Sequence, residues 1–373
     1  MSAPLAGIRI LEVGHMLAGP YAGMLLADLG AEVIKIEPPS GDIARSISPH
    51  WIGRHNAYFA SLNRGKRSVV LDLASADGQA RVRELAAISQ ALLTNLRPSA
   101  IKKLGLTYDA LKQANPKLVC VALTGYGLES PLAEYPAYDY VIQALTGIMA
   151  LTGDPADPPV KTGYSAVDNS AGIMGALGLL AKIIEGRGGQ VDVAMYDVML
   201  SQLNYLAGAW LNASEHPARQ ARSAHPYIVP AQIFPTANGW LTLFITHDEF
   251  WRKFCEEVGR PEWILAPNFA TMTARRDNRV AVIAAIEALL AADSTERWIE
   301  RLAPLGIVIA GIETLEQALA SGHTRARRMR LSIPSPDGMI QVVGNPIKFA
   351  QAEEGLAPPP LLGEHNELYL SKR

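Results

Sequence analysis

The stretch from Gly7 to Glu37 constrains the fold more than any other part of the chain. Gly7-Ile8-Arg9-Ile10-Leu11-Glu12-Val13 reads as a short strand, and Pro20–Leu29 as a helix. Pro20 suits the first turn of that helix and Gly30 its stop. Ala31–Glu37 is a second strand, ended by Pro38-Pro39. Strand, helix and strand in about 30 residues make a βαβ unit, and the crossover places both strands parallel in one sheet.

The pattern recurs. Ser68–Leu73, Ala91–Asn95, Leu118–Leu123 and Gln190–Met195 read as strands, with helices at Gly78–Ile88 and Ala171–Glu185. At 373 residues and 49% hydrophobic, the chain can build two domains with cores of their own. Residues 1–200 are expected to form an α/β layer domain, and 201–224 a linker. Residues 225–325 are expected to form a smaller α/β domain. Its strands are Gln232–Phe234 and Trp240–Phe244, either side of the turn Thr236–Gly239. Its amphipathic helices are Glu249–Val258 and Val280–Ala292, and a third starts at Asp293 with Glu296 three residues on, in capping-box fashion. The tail, 326–373, carries a strand at Met339–Val343 and is expected to return to the first domain.

A net charge of -2 gives no argument for a polyanion-binding surface spread over the whole protein. The run Thr324–Arg330 is basic but short and lacks aromatics, so it suits a helix end or subunit contact better than nucleic acid. Cys120 and Cys255 match no metal or redox spacing, which fits a reduced, cytoplasmic setting. Arg9 and Glu12 interrupt the first apolar stretch, against a signal peptide. The apolar run Ala171–Ile184 includes Lys182 and falls short of the roughly 18 residues of a membrane span, so it reads as a buried helix, with no membrane contact. The histidines form no His-x-x-x-His pair and no Gly-x-Ser-x-Gly elbow occurs, so neither a metal site nor a hydrolase triad is expected.

The first turn, Gly14–Gly23, lacks the Gly-x-Gly-x-x-Gly spacing of a dinucleotide site and the Lys-Ser/Thr of a phosphate loop. Arg64-Gly65-Lys66-Arg67 and Lys102-Lys103 put positive charge at turns beside several strands. They read singly as solvated charge, and together as a place for a phosphorylated ligand. Asp168 precedes an apolar helix. It reads either as an ordinary N-cap or as a nucleophile on an acyl carbon, kept ionised by helix N-terminal amides.

Seven pieces in order resemble the family III CoA-transferases, the formyl-CoA transferase-like group, nearly end to end. They are Gly7–Glu12, Ala18–Tyr21, Gly30–Glu37, Asn63–Ser68, Leu123–Gly127, Gly344–Pro346 and Gly363–His365. The resemblance implies a Rossmann-like large domain formed by both chain ends, a smaller α/β domain, and an interlocked homodimer. It places the nucleophile on Asp168, CoA contacts on Leu17, Lys66, Arg67, Asn95, Leu96 and Lys103, and a tyrosine near the thioester on Tyr138. The CoA thioester is then a substrate, and no cofactor is implied.

Racemases acting on α-methylacyl-CoA share the fold. They carry a histidine followed by Asp-Ile-Asn-Tyr where this chain has Tyr138-Asp139-Tyr140-Val141, which favours transfer over α-proton exchange. A non-catalytic CoA-ester-binding protein is the third reading, and Asp168 argues against it. The glycine-rich loop of formyl-CoA transferase is replaced by Ser223–Pro230, which has no glycine and is more similar to members acting on small dicarboxylates. The Gly-Val-Pro turn of the family reads Gly306-Ile307-Val308. The expectation is a succinyl-CoA-type donor and a small dicarboxylate acceptor. Arg45, Arg222 and His225 are the candidates near the free acid, with an arginine gripping the distal carboxylate or standing as ordinary surface charge.

Overall fold

The computed structural model describes residues 3–349 and 356–371. They form two compact units. The first is made of residues through Thr146, Thr162–Gly208 and those from Ser321 on; the second of Gly147–Lys161 and Ala209–Ala320.

In the first unit, β1 (Arg9–Val13), β2 (Glu32–Glu37), β5 (Arg67–Val70), β6 (Ala91–Thr94), β7 (Val119–Thr124) and β8 (Gly189–Ala194) form one six-stranded sheet. The two-residue strands β3 (Trp51–Ile52) and β4 (His55–Asn56) pair separately. The order is β5-β2-β1-β6-β7-β8, and every neighbouring pair is parallel. The chain winds outward from β1 to one edge, then returns and winds to the other, so the direction reverses between β1 and β6.

Both faces of the sheet are covered, which is why its strands are apolar at consecutive positions. Leu11, Ile34, Leu92 and Cys120 pack with Val82 and Leu85 of a helix on one side. Ile10, Val33, Leu93 and Val121 point the opposite way, toward Ala22, Leu26 and Leu179. The first side is covered by α3 (Ala76–Ala87), the second by α1 (Ala18–Asp28) and α8 (Ala166–Glu185). Each buried leucine, isoleucine or valine among them contributes about 1.5–3 kcal/mol of burial. Smaller helices lie between: α2 (Ala57–Asn63), α4 (Pro98–Lys103), α5 (Tyr108–Leu111) and α6 (Asp139–Leu145) in this unit, α7 (Ile148–Leu151) in the other.

The helix α8 differs from its sequence reading in two ways. It starts at Ala166, five residues before Ala171, because Ser165 rather than Asp168 takes the N-cap position. Nor is it buried all round: Leu179 is sealed against the sheet, while Ile173, Met174, Leu177 and Ile184 are exposed. By length and composition alone it is apolar enough to cross a membrane. After β8, helices α9 (Met195–Gln202) and α10 (Asn204–Ala213) continue the chain. The hairpin of β12 (Arg330–Ser335) and β13 (Gly338–Val343) packs Ile333 and Ile340 against Ala60 of α2.

The second unit holds an antiparallel sheet of β9 (Ala231–Pro235), β10 (Trp240–Phe244) and β11 (Val308–Gly311), in the order β11-β10-β9. Phe234, Leu241 and Leu243 meet Trp251, Ile286 and Trp298 in its core. Those three come from α11 (Asp248–Glu257), α13 (Arg279–Leu290) and α14 (Thr295–Leu302), with α12 (Met272–Asp277) ahead of α13. Ser294, one residue past the expected Asp293, caps α14 by accepting the Arg297 N–H at 3.3 Å. Asp293 instead accepts the N–H of Ser294.

Candidate active site

In an open parallel sheet, the C-terminal strand ends on either side of the winding reversal leave a crevice that no crossover fills. Here those ends are β1 and β6, followed by the loops Gly14–Leu17 and Asn95–Arg97. Asn95 ties the loops together. Its Oδ1 accepts the N–H of His15 at 3.0 Å and its Nδ2 donates to the His15 carbonyl at 2.9 Å. A Cβ on Gly14 would stand 2.3 Å from that Oδ1, so only glycine lets the clamp close. Met16 follows in the left-handed region, at a φ of 63°, and donates its N–H to Asp42.

Beneath the loops lies a chain of buried charges. Lys35 Nζ stands 2.9 Å from Glu12 Oε1 and 2.9 Å from Asp42 Oδ2, and donates to the Gly14 carbonyl. Lys66 Nζ stands 2.7 Å from Glu12 Oε2 and donates to the Pro20 carbonyl and to Asn63. Burial alone would raise the Glu12 carboxyl, but Lys35 and Lys66 hold it below the ordinary range. Lys35 has two carboxylates and, against its burial, is raised; Lys66 shares only Glu12 and is pushed down to about 8 by burial.

A cleft of about 460 Å³ opens above this floor. Leu17, Asn95, Leu96, Tyr138 and Asp168, five of the expected site residues, line it together. Beside it an apolar recess of about 730 Å³ runs over Ile36, Ile43, Leu71 and Leu73, and shares His15, Met16, Leu96 and Tyr138 with the cleft. A ligand with a long body and a reactive end can lie along both.

Asp168 is the ionisable wall of the cleft. It sits in the first turn of α8, half-buried, with no hydrogen bond to its carboxyl among the described residues. It caps nothing. The N–H of Val167 goes instead to Oδ2 of Asp139 at 2.8 Å. The expectation that nearby amides keep Asp168 ionised is therefore reversed: burial, helped by the charge of Asp139, raises its carboxyl to about 7. A carboxylate with such a proton affinity is a stronger base than an ordinary aspartate, and it has no partner to displace before it reacts.

The remaining expected residues lie elsewhere. The ammonium of Lys66 is sealed on Glu12 and has no donor left for a ligand. Arg67 is exposed and 3.1 Å from His365 Nε2, and Lys103 is exposed at the end of α4. Arg45 makes two bonds of 2.7 Å to Glu37 and lies over the Phe59 ring, so its fork is already filled. Arg222 and His225 belong to the second unit. Arg222 lies over Trp240 with Nη1 buried and unbonded, and His225 accepts the N–H groups of Tyr227 and Ile228 on Nδ1.

Three cleft residues were not singled out from the sequence. Arg97, exposed, brings the cleft a cation. Tyr58 has its hydroxyl raised by burial and then by Asp168. Asp139 seats α8. Arg97 and Asp139 stand next to quoted positions, Leu96 and Tyr138; Tyr58 carried no local signal.

Fold and site together define a doubly wound α/β protein with a ligand crevice at its winding reversal and an unbonded carboxyl on the crevice wall. The chain belongs to CoA-transferase family III, whose profile matches residues 5–366, and is an enzyme of that class. It is 34% identical to a succinate–glutarate CoA-transferase of Agrobacterium fabrum, over 99% of this chain and 95% of that protein. It is 32% identical to an acetyl-CoA:oxalate CoA-transferase of Acetobacter aceti, over 93% of this chain and 89% of that one. A CAIB/BAIF family protein from Brucella suis has the same fold, with a TM-score of 0.85, 33% identity, and 99% and 98% of the two chains covered.

Proposed function

We propose that the protein transfers CoA from succinyl-CoA to a small dicarboxylic acid, with Asp168 carrying the acyl group. The observation that carries this reading is the Asp168 carboxyl: unbonded, half-buried, raised to about 7, and lining a cleft that shares four residues with an apolar recess beside it. The names of two relatives, one for succinate and glutarate and one for oxalate, support dicarboxylates as the acid class.

The carboxylate of Asp168 attacks the thioester carbonyl; the C–S bond breaks, leaving a mixed anhydride and CoA thiolate. The thiolate attacks the aspartyl carbonyl, the donor acid departs, and an aspartyl-CoA thioester remains. The acceptor carboxylate attacks that thioester and frees the thiolate, which then attacks the acceptor's acyl carbon and restores the Asp168 carboxylate. Every step exchanges an acyl group between carboxylate and thiolate, so no cofactor enters and water has only to be kept out. Leu17, Asn95, Leu96 and Tyr138 are the proposed CoA contacts along the cleft, with exposed Arg97, Arg67 and Lys103 available to phosphate. An interlocked homodimer is part of the proposal. The apolar stripe Ile173, Met174, Leu177 and Ile184 on α8 supports a subunit contact.

Mixing the protein with succinyl-CoA and a panel of mono- and dicarboxylic acids, and weighing the CoA esters formed, tests the reading. A dicarboxylyl-CoA that disappears in Asp168→Ala supports it. Transfer at the parent rate by Asp168→Ala would remove Asp168 from the reaction. Transfer to monocarboxylates alone would overturn the acid class.

A further inference from the structure

The residue that bonds the first turn of α8 beside Asp168 is neither next to it in sequence nor on that helix. Asp139 opens α6, is buried, and spends both carboxylate oxygens. Oδ2 accepts the Val167 N–H at 2.8 Å; Oδ1 accepts Nε2 of Gln143 at 2.6 Å. Gln143, buried one turn further along α6, uses its Oε1 to accept the N–H of Thr162 at 3.0 Å. The three bonds fasten both the segment leading into α8 and its first turn. Ser165, in the N-cap position, makes no side-chain cap bond of its own, so the orphan amide beside Asp168 depends on Asp139.

Asp139 also brings a negative charge. His15 follows β1, Tyr58 comes from α2, Arg97 precedes α4, Tyr135 and Tyr138 precede α6, and Tyr140 follows Asp139 on α6. Further elements packed against α8 add Tyr21 and Asp28 of α1, Cys120 of β7, Asp192 of β8, and Tyr196 and Asp197 of α9. Of all these, Asp139 is the one whose charge acts on the Asp168 carboxyl, second to burial itself.

We propose that Asp139 is a positioning residue for CoA transfer: it seats the first turn of α8 and sets a fixed negative charge beside Asp168, acting on the reaction through that carboxyl. The inference rests on Asp168 being the acyl carrier. Asp139 touches no reacting atom. Asparagine removes the charge and gives up the Gln143 bond but keeps one oxygen to accept the Val167 N–H, whereas alanine loses the charge and both bonds.

The test measures kcat and the KM for succinyl-CoA from pH 5 to 9 in Asp139→Asn, Asp139→Ala and Asp168→Ala. In Asp139→Asn the acid limb of kcat/KM moves down by about one pH unit, toward an ordinary aspartate. In Asp139→Ala, kcat falls about 100-fold and KM changes by less than about threefold, because orientation is lost and donor binding is not. An acid limb in Asp139→Asn that coincides with the parent's, or an Asp139→Ala protein that loses only donor affinity, overturns the proposal. If Asp139→Ala does not fold, the Asp139→Asn profile decides alone. Transfer by Asp168→Ala at the parent rate would defeat the underlying assignment instead, so the two failures are distinguishable.

Discussion

Lys66 Nζ lies 2.7 Å from Glu12 Oε2, and neither side chain has any exposed surface. The pair belongs to a floor of ions under the crevice loops, with Lys35 on the other oxygen of Glu12. Removing one partner leaves a buried charge short of its counter-ion, which costs about 3–5 kcal/mol. Lys66→Met is therefore expected to lower the unfolding free energy in urea by about that amount. The folded fraction should keep a near-parental KM for acyl-CoA. A selective loss of acyl-CoA affinity at unchanged stability would put Lys66 back among the ligand contacts. Gly23→Ala should mimic the stability loss, since its Cβ would fall 2.0 Å from Glu12 Oε2.

The pH dependence of transfer follows from Asp168. Its reactive form is the carboxylate, and its carboxyl is raised to about 7. The kcat/KM for transfer is therefore expected to be low at pH 5, to climb tenfold per pH unit on the acid side, and to level above about 7. An acid limb centred near 4 would mean the carboxyl is solvated in the working enzyme.

The same group makes a stability prediction with the opposite slope. A carboxyl raised in the folded state binds its proton more tightly there than in the unfolded chain. Its contribution is complete below the unfolded value near 4 and is lost as pH climbs to about 7. Asp168→Asn does not titrate, so it should match the parent near pH 4 and exceed it at pH 8 by about 2 kcal/mol, after discounting for partial solvent access. Thermal melts at the two pH values check this; equal gains at both would point to a cause other than ionisation.

Asn95 is expected to matter for binding more than for folding. Its amide closes on both backbone groups of His15. Loss of that clamp in Asn95→Ala, or its obstruction in Gly14→Ala, should raise the KM for acyl-CoA about tenfold, or roughly 1.4 kcal/mol. The melting temperature should shift by only a few degrees, because the loop lies outside the sheet core.

The apolar stripe on α8 predicts an oligomer. Leu177 is 58% exposed, between Ile173 and Ile184 on the same helix. Leu177→Glu is expected to shift the molar mass by light scattering from dimer toward monomer, with the secondary structure intact by circular dichroism. An unchanged mass would take this face out of the subunit contact.

The doubly wound sheet was legible because strands buried on both sides must be apolar at consecutive positions, as in Ile10-Leu11 and Leu92-Leu93. Asp168, Asn95 and Tyr138 were legible through the ordered motifs around them, and the structure lines one cleft with all three. The carboxylate partners of Lys66 and Arg45 were not legible, because Glu12 and Glu37 come beside them only in the packed chain.

The sequence by itself determined the βαβ winding, because this follows from local periodicity and the order of elements along the chain, and its resemblance to the family pointed to Asp168; the strand order, and with it the crevice at the reversal, came from the tertiary structure. Tertiary structure alone decided which charges are sealed and which remain free, and that Asp168 is raised rather than kept ionised. Burial and charge pairing depend on distance in space. The partners concerned, such as Glu12 with Lys66 and Asp139 with Val167, come from segments that meet only when the sheet and its covering helices have closed.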